Sequence, residues 1–397
     1  MKATTILNKF LPNVTPNMHS VRRKSLNALL HSLILGADLS VTGLGRNIIS
    51  KTSEKHQIKR SMRLCSNPHL QSEISTIYSL MAQGLIANQS QPIILVDWSD
   101  LDPRKQHFLL RASVAIEGRA LTLLEEIHPL SRKEKPAVHR LFMTKLKALL
   151  PSSCKPIIVT DAGFRVPWFK MIKSLGWDYV GRVRNRTFCK NETDEEWHSI
   201  KDLYDLSSTK ERCLGHYQLC RNSSISCQFI IFKSKAKGRH HFTATGDKPR
   251  QAKPSRVHAE REKEPWLLAT SLALETVELA KKVVKIYHTR MQIEESFRDL
   301  KTGLNFNGSN TRTRACLSVL LLLAMLAQYV LYLLGLAVKL SKQHLRYQAN
   351  SIKTKTVLSY QFIGLRAFKD RYLKLRQHDW QAAKLKIQQL MREPLNV

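Results

Sequence analysis

The chain is short of cysteine and of acid. Seven cysteines occur in 397 residues and none forms a Cys-x-x-Cys pair. Cys213, Cys220 and Cys227 recur every seven residues. Zinc sites need closely paired ligands and disulfide frameworks need a secretory setting, so both classes are set aside and the cysteines read as reduced thiols. The opening segment MKATTILNKFLPNVTPN has no apolar signal-peptide core, which leaves the cytoplasm as the expected compartment. No internal repeat or extended low-complexity tract interrupts the chain.

The shortage of acid says more. Asp and Glu number 31 against 64 Lys and Arg, for a formal net charge of +33 and a pI near 10.1. Such an excess repels itself unless a polyanion neutralises it, so DNA or RNA is the favoured partner and a membrane surface the competitor. Residues 1–90 hold eleven basic and three acidic side chains, and residues 340–397 twelve and three, so the surplus is not confined to one tail. One long apolar run, 316–338, could be mistaken for a membrane span. Gln328 at its centre, basic flanks (Arg312 and Arg314, then Lys339 and Lys342) and the lack of a second span favour a buried core helix and no membrane partner.

The length suggests two or three domains, with three as the working division. Residues 1–88 read as a helical DNA-binding domain. Within it, the segment around KTSEKHQIKRSMRL carries Lys55, His56, Lys59, Arg60 and Arg63 on a basic helix that suits a helix-turn-helix reader; a solvated helix face is the plainer alternative. From residue 89 the pattern turns to strands. PIILVD at 92–97 is a continuous apolar run, and HFLLRASVAI and RALTLLEEI form a hairpin pattern around Glu117-Gly118. A helix, a second apolar run PIIVTD at 156–161, another helix and a strand around DYVGRVR follow.

That order predicts an α/β, ribonuclease-H-like catalytic core over 89–340, interrupted by a β-rich insertion at 186–275, with a helical C-terminal region at 341–397. Within the insertion, residues 233–263 carry ten Lys/Arg and three Asp/Glu and are expected to be mobile in isolation.

Both central apolar runs end in an aspartate, Asp97 and Asp161. The carboxyl ends of buried strands open into the crevice where ligands bind. Two carboxylates facing each other there repel unless a divalent cation joins them, and an all-oxygen donor set suits Mg²⁺ or Mn²⁺. Asp100 and Asp102 are close rivals in DWSDLD. A third carboxylate is expected from YHTRMQIEESFRDLK. Tyr287, Arg290, Glu294 and Lys301 are spaced by three, four and seven residues, so on a helix they share one face, while Glu295 points away. A strand-end aspartate or a salt-bridged surface helix is the commoner explanation for each feature alone.

The spacing Tyr287-x2-Arg290-x3-Glu294-x6-Lys301 resembles the signature of the insertion-sequence-four family of DDE transposases. VDWSD at 96–100, LRASVAI at 110–116, DAGF-x-VPW at 161–168, KEPWLLAT at 263–270 and RMQIEESFRDLK at 290–301 are similar to its transposon-ten branch, as are LGRN at 44–47 and KHQIKR at 55–60. The resemblance fades in the last fifty residues.

It implies a bacterial, nucleoid-associated cut-and-paste enzyme that excises its element through a hairpin intermediate and joins the 3′-OH ends to target DNA. Asp97, Asp161 and Glu294 would hold two Mg²⁺ ions, with Mn²⁺ able to substitute. Tyr287, Arg290 and Lys301 would contact DNA near the cleavage site, and Trp266 would stack on a flipped base. The partners implied are double-stranded DNA with terminal inverted repeats, target DNA and a second protomer in a synaptic homodimer. A DNA-binding protein without catalysis and a structure-selective nuclease are the alternatives.

Overall fold

The computed structural model describes residues 3–87, 89–102, 104–184, 187–235, 243, 251–273, 276–311, 313–349 and 357–392. The chain forms two compact units: Met1–Cys154 with Met291–Glu393, and a second built on Lys155–Arg290.

The first unit begins with five helices, α1 (Ala3–Val14), α2 (Ser20–Ile34), α3 (Val41–Arg46), α4 (Glu54–Cys65) and α5 (Pro68–Ile86). Local residues start them. Ser40 Oγ accepts the Gly43 N–H at the head of α3, and Asn67 Oδ1 accepts the Leu70 N–H at the head of α5, where Pro68 opens the first turn. Three antiparallel strands follow, β1 (Ile93–Asp100), β2 (His107–Ala115) and β3 (Ala120–Pro129), in spatial order β3-β2-β1. The β2–β3 turn falls at Glu117-Gly118, where Gly118 adopts φ +70°, a conformation a β-carbon would strain. The β-branched and leucine run Ile93–Val96 is wholly buried, and α6 (Pro136–Leu149) closes this part of the chain.

In the second unit, β4 (Ile157–Thr160), α7 (Val166–Ser174) and β5 (Asp178–Val183) make a parallel β-α-β step. Ile157–Val159 are fully buried, as an inner strand requires. Next come β6 (Phe188–Asn191), β7 (His198–Ser199), β8 (Arg212–Leu219) and β9 (Ile225–Phe232), then α8 (Lys253–Lys263), β10 (Trp266–Thr270) and α9 (Thr276–His288). The pairings β5-β10-β9-β8-β6-β7 are all antiparallel. Among the described residues of the stretch expected to be β-rich, the regular structure is the strands β6–β10, a 3-10 turn at Ile200–Leu206 and α8. Its basic part differs from expectation, because residues 253–263 form α8; residues 236–242 and 244–250 lie outside the described residues, as do Glu275 and Arg312.

The chain returns to the first unit with α10 (Met291–Arg298), α11 (Arg314–Leu340), α12 (Tyr360–Lys369) and α13 (Gln377–Arg392). Length and apolarity would let α11 cross a membrane, but 94% of its most apolar 18-residue window is buried inside the protein, as a core helix. Its polar residue Gln328 donates from Nε2 to the Ser296 carbonyl of α10 at 3.3 Å, so the apolar helix holds α10 in place. α12 crosses α11 backbone to backbone. A β-carbon on Gly335 would stand 1.8 Å from the Tyr360 carbonyl oxygen, and one on Gly364 2.0 Å from that of Leu331.

The single helix expected through Tyr287 and Lys301 is interrupted. After α9 the Thr289 and Arg290 amides bond three residues back, to Ile286 and Tyr287, and the Thr289 hydroxyl donates to the Ile286 carbonyl at 2.6 Å. A hydroxyl competing for the backbone in this way loosens a helix. Beyond α10, residues Asp299–Gly303 widen into a π-turn, with Leu304 N–H bonding Asp299 O at 2.9 Å. The spacing of three, four and seven therefore does not lie on one straight helical face.

Candidate active site

In the first unit, Asp97 does not end its strand, as expected, but lies within it. β1 runs on to Asp100, while burial stops: Ile93–Val96 are buried and Asp97–Ser99 half-buried. What ends at Asp97 is the covered part of the strand. Asp97 Oδ1 accepts the Trp98 N–H at 2.7 Å. The Trp98 indole N–H donates to His139 Nε2 at 3.0 Å, fixing the strand just past Asp97. Burial pulls His139 down to about 4, so this ring is a neutral acceptor. Of the rivals, Asp100 takes Lys301 Nζ at 3.2 Å. Burial opposes ionisation of Asp100, but the Lys301 ammonium, a backbone hydrogen bond and the Lys105 charge outweigh it and hold the carboxyl below its ordinary value. Asp102 accepts the Gln106 and His107 amides and organises its own turn.

Glu294 stands half-buried in the first turn of α10, which packs on β1, β2 and β3 through buried Ile293 and Phe297. Its neighbour Glu295 is engaged by Arg298 and by Arg119. Behind α10 sits a residue the sequence reading passed over as a functional one. Arg111 faces Asp97 in the β1–β2 register and is 0% exposed. It bonds Glu125 at 2.7–2.8 Å, donates to Ser296 Oγ at 3.0 Å and lies over the Phe297 ring; Glu125 also accepts the Tyr78 hydroxyl. One buried guanidinium thus ties β2, β3, α5 and α10, and so sets the stage for Asp97 and Glu294. A lone arginine inside HFLLRASVAI was the signal that could have found it.

In the second unit, Asp161 is the first residue after β4, half-buried, with Oδ1 accepting the Gly163 N–H at 2.9 Å. Tyr287, at the last turn of α9, is only 3% exposed. Burial pushes its hydroxyl above the usual value, the Arg290 and Arg182 guanidinia pull it back, and the charge of Asp161 raises it. Asp161, Tyr287, Arg290 and Arg182 therefore share one electrostatic neighbourhood. Trp266, half-buried at the start of β10, lies edge-on to Tyr287 at 4.9 Å and to His288 at 4.8 Å, with Phe232 at 5.8 Å. It is a half-buried member of an aromatic cluster rather than a sealed core residue.

On α4, Lys55, Lys59 and Arg63 are exposed at intervals of four, one face of the helix. Arg60 differs: it is half-buried and donates to Ser25 Oγ at 3.1 Å and the Lys24 carbonyl at 3.0 Å, docking α4 on α2.

Among the described residues no group of three or more His, Cys, Asp or Glu side chains lies close enough together to hold a metal ion. Asp97, Asp161 and Glu294 are each half-buried, and carboxylate oxygen is the donor type that Mg²⁺ or Mn²⁺ prefers.

A strongly basic chain with an aspartate at the end of a buried strand, beside Tyr287 and two arginines, is suited to a nucleic-acid backbone. The transposase DDE domain model matches residues 88–330, more than half of the chain, and the chain belongs to that family. No curated protein matches it. Membership makes this a DDE transposase acting on DNA, in a family that generally uses divalent metals.

Proposed function

We propose that this transposase is a cut-and-paste enzyme of the transposon-ten branch of the insertion-sequence-four family. It cleaves the terminal inverted repeats of its element through a hairpin intermediate and transfers the 3′-OH ends to target DNA. The observation that carries this reading is the grouping in the second unit, where Asp161 follows a buried strand and shares its surroundings with Tyr287, Arg290, Arg182 and, through ring contact, Trp266. The element order of a meander, helix, strand, helix and strand supports a ribonuclease-H-like core, divided as 1–88, 89–340 with an insertion at 186–275, and 341–397.

In this reading Asp97, Asp161 and Glu294 are the metal-binding residues. The chemistry supplied there by a pair of Mg²⁺ ions, or Mn²⁺, is activation of the attacking oxygen and stabilisation of the leaving one. Arg290 and Lys301 hold phosphates beside the scissile bond, and Lys301 shares its ammonium between DNA and Asp100. Tyr287 contacts DNA near the cleavage site and packs on Trp266, which stacks on a base turned out of the helix during hairpin formation and offsets a few kcal/mol of unstacking. Lys55, Lys59 and Arg63 contact the end sequence. Arg60 contacts it only with what its bonds to α2 leave over. Two protomers hold two ends, in the cytoplasm at the nucleoid.

The test is incubation of the whole protein with duplexes carrying the inverted repeats and Mg²⁺, read on a denaturing gel. Nicks and hairpins are expected from the wild type. Asp97→Ala, Asp161→Ala and Glu294→Ala each abolish them while binding survives. Binding without cleavage by the wild type would leave a non-catalytic DNA binder, and cutting independent of end sequence a structure-selective nuclease.

A further inference from the structure

The second unit contains an open cleft of about 830 Å³ that shares Arg182 with the surroundings of Tyr287 and extends past the residues given a role above. It runs from Ala162, beside Asp161, past the first turn of α7 and the end of β5 to β6 and the β8–β9 turn. Five of its lining side chains are cationic, Arg165, Arg182, Arg184, Lys201 and Arg221, and no described lining residue is acidic. Glu264 neutralises one of the five, bonding Arg184 Nε at 2.5 Å. Among the described residues Arg182 hydrogen-bonds only backbone carbonyls, those of Glu264 and Pro265 at 3.4 and 3.3 Å, and its buried Nε has no hydrogen-bond partner among them. Burial pulls this guanidinium below the usual arginine value, so the fold bears a cost for the charge that an anion would relieve.

Two further features are those of a phosphate site rather than of mere surplus charge. The nine-residue helix α7 points its N-terminus into the cleft, and Arg165 at that end makes no side-chain cap, so the positive end of the helix dipole adds to the cations. The Arg221 guanidinium carbon stands over the Phe188 ring, 3.7 Å from its centroid, with a guanidinium nitrogen 3.5 Å from the Trp197 carbonyl oxygen. A guanidinium backed by an aromatic ring takes a nucleobase by stacking. A cleft of this volume suits a ligand of drug-like bulk, one or two nucleotides of a single strand and not a duplex.

We propose that this cleft binds single-stranded DNA, gripping its phosphates on Arg165, Arg182, Lys201 and the α7 N-terminus and stacking a base on Arg221. The claim about which strand it takes, the one led away from Asp161 after cleavage, rests on the proposed active site. The binding itself does not.

The test measures anisotropy of a fluorescein-labelled oligo-dT on the full-length protein in EDTA, so that no cleavage occurs, against a labelled inverted-repeat duplex. Lys201→Glu/Arg221→Glu is expected to weaken single-strand binding at least tenfold and to lower its salt dependence, by about 0.7 in log–log slope for each phosphate left without its cation, while duplex binding stays within twofold. The milder Lys201→Gln/Arg221→Gln, checked by thermal melting for an intact fold, should give a smaller loss in the same direction. Unchanged single-strand affinity in both variants would overturn the proposal. So would displacement of oligo-dT by equimolar inorganic phosphate, which marks a small-anion site instead. Single-strand binding lost in the variants while the wild type fails to cut inverted repeats would sink only the cleavage reading.

Discussion

In the unit that carries Asp97 and Glu294, buried or half-buried arginines meet acids: Arg111 meets Glu125, Arg119 meets Asp299, and Arg22 meets Glu73 at 2.5 Å. In the cleft of the unit built on Lys155–Arg290, five cations line one cavity and Glu264 bonds one of them. The same side-chain type thus does two jobs. Where each charge has a partner inside the protein, its removal exposes that partner and the fold suffers. Where the charges face open space, removal relieves repulsion and only a polyanionic ligand notices.

The largest expected effect is at Arg111. Arg111→Ala leaves Glu125 buried and unpaired and takes the donor from Ser296, which should cost roughly 3–5 kcal/mol in urea denaturation. Arg111→Met/Glu125→Leu removes both charges and should recover much of that loss. A cost under about 1 kcal/mol for Arg111→Ala would mean that water reaches the pair, and the contrast between the units would fail.

His139 sharpens the contrast through pH. Its folded value lies at about 4, below the ordinary 6.5, because burial disfavours the charged ring. As pH falls the unfolded chain takes up the proton first, so the contribution is fully present above about 6.5 and lost progressively towards 4. Protonation also removes the lone pair that accepts the Trp98 indole N–H. The urea midpoint should therefore drop between pH 7 and pH 5, and His139→Gln, which can still accept that bond, should flatten the drop. An unchanged slope in the variant would place the acid sensitivity elsewhere.

How much of this was legible beforehand differs between the local and the distant. PIILVD and PIIVTD announced their strands because a strand covered on both faces leaves no room for alternation, and the 316–338 run announced α11 by the same logic. The extension of β1 past Asp97 was hidden, since Asp97-Trp98-Ser99-Asp100 has no apolar pattern and its pairing partners on β2 set the strand's length. The break at Thr289 was hidden as well: apolar residues keep their helical phase from Val283 through Phe297 while the hydrogen bonds change. α8 was missed because its charge outweighs its periodicity. Arg111 was unreadable as an organiser, since Glu125 and Ser296 lie 14 and 185 residues away. Candidate acids and cations were nameable from spacing; their surroundings were not.

A smaller effect concerns a thiol pair in the first unit. Gln71 Nε2 donates to the Ala315 carbonyl at 2.7 Å and approaches that of Cys65 at 3.5 Å, bringing the end of α4 to the start of α11. The Cys65 thiol hydrogen-bonds Cys316, which holds Cys316 below the ordinary thiol value against the opposing effect of burial. Cys65→Ala removes that donor, so iodoacetamide labelling of Cys316 at pH 7, read by mass spectrometry, should slow several-fold. Equal or faster labelling would show that access, and not the hydrogen bond, governs the thiol.

The smallest effect tests the other side of the comparison. Lys201 and Arg221 are exposed, and no acid is bonded to either side chain among the described residues. Truncating either to alanine should change the unfolding free energy read by urea denaturation by no more than about 0.5 kcal/mol, because relief of repulsion in the cleft offsets the lost contacts. Arg221→Ala gives up its stacking on Phe188, so it should be the less favourable of the two. Added oligo-dT should raise the melting temperature of the wild type more than that of either variant, because a ligand that binds only the folded state stabilises in proportion to its affinity. A loss of several kcal/mol on Lys201→Ala would show that this cation, like Arg111, is part of the fold, and the division between paired and ligand-facing charge would have to be redrawn.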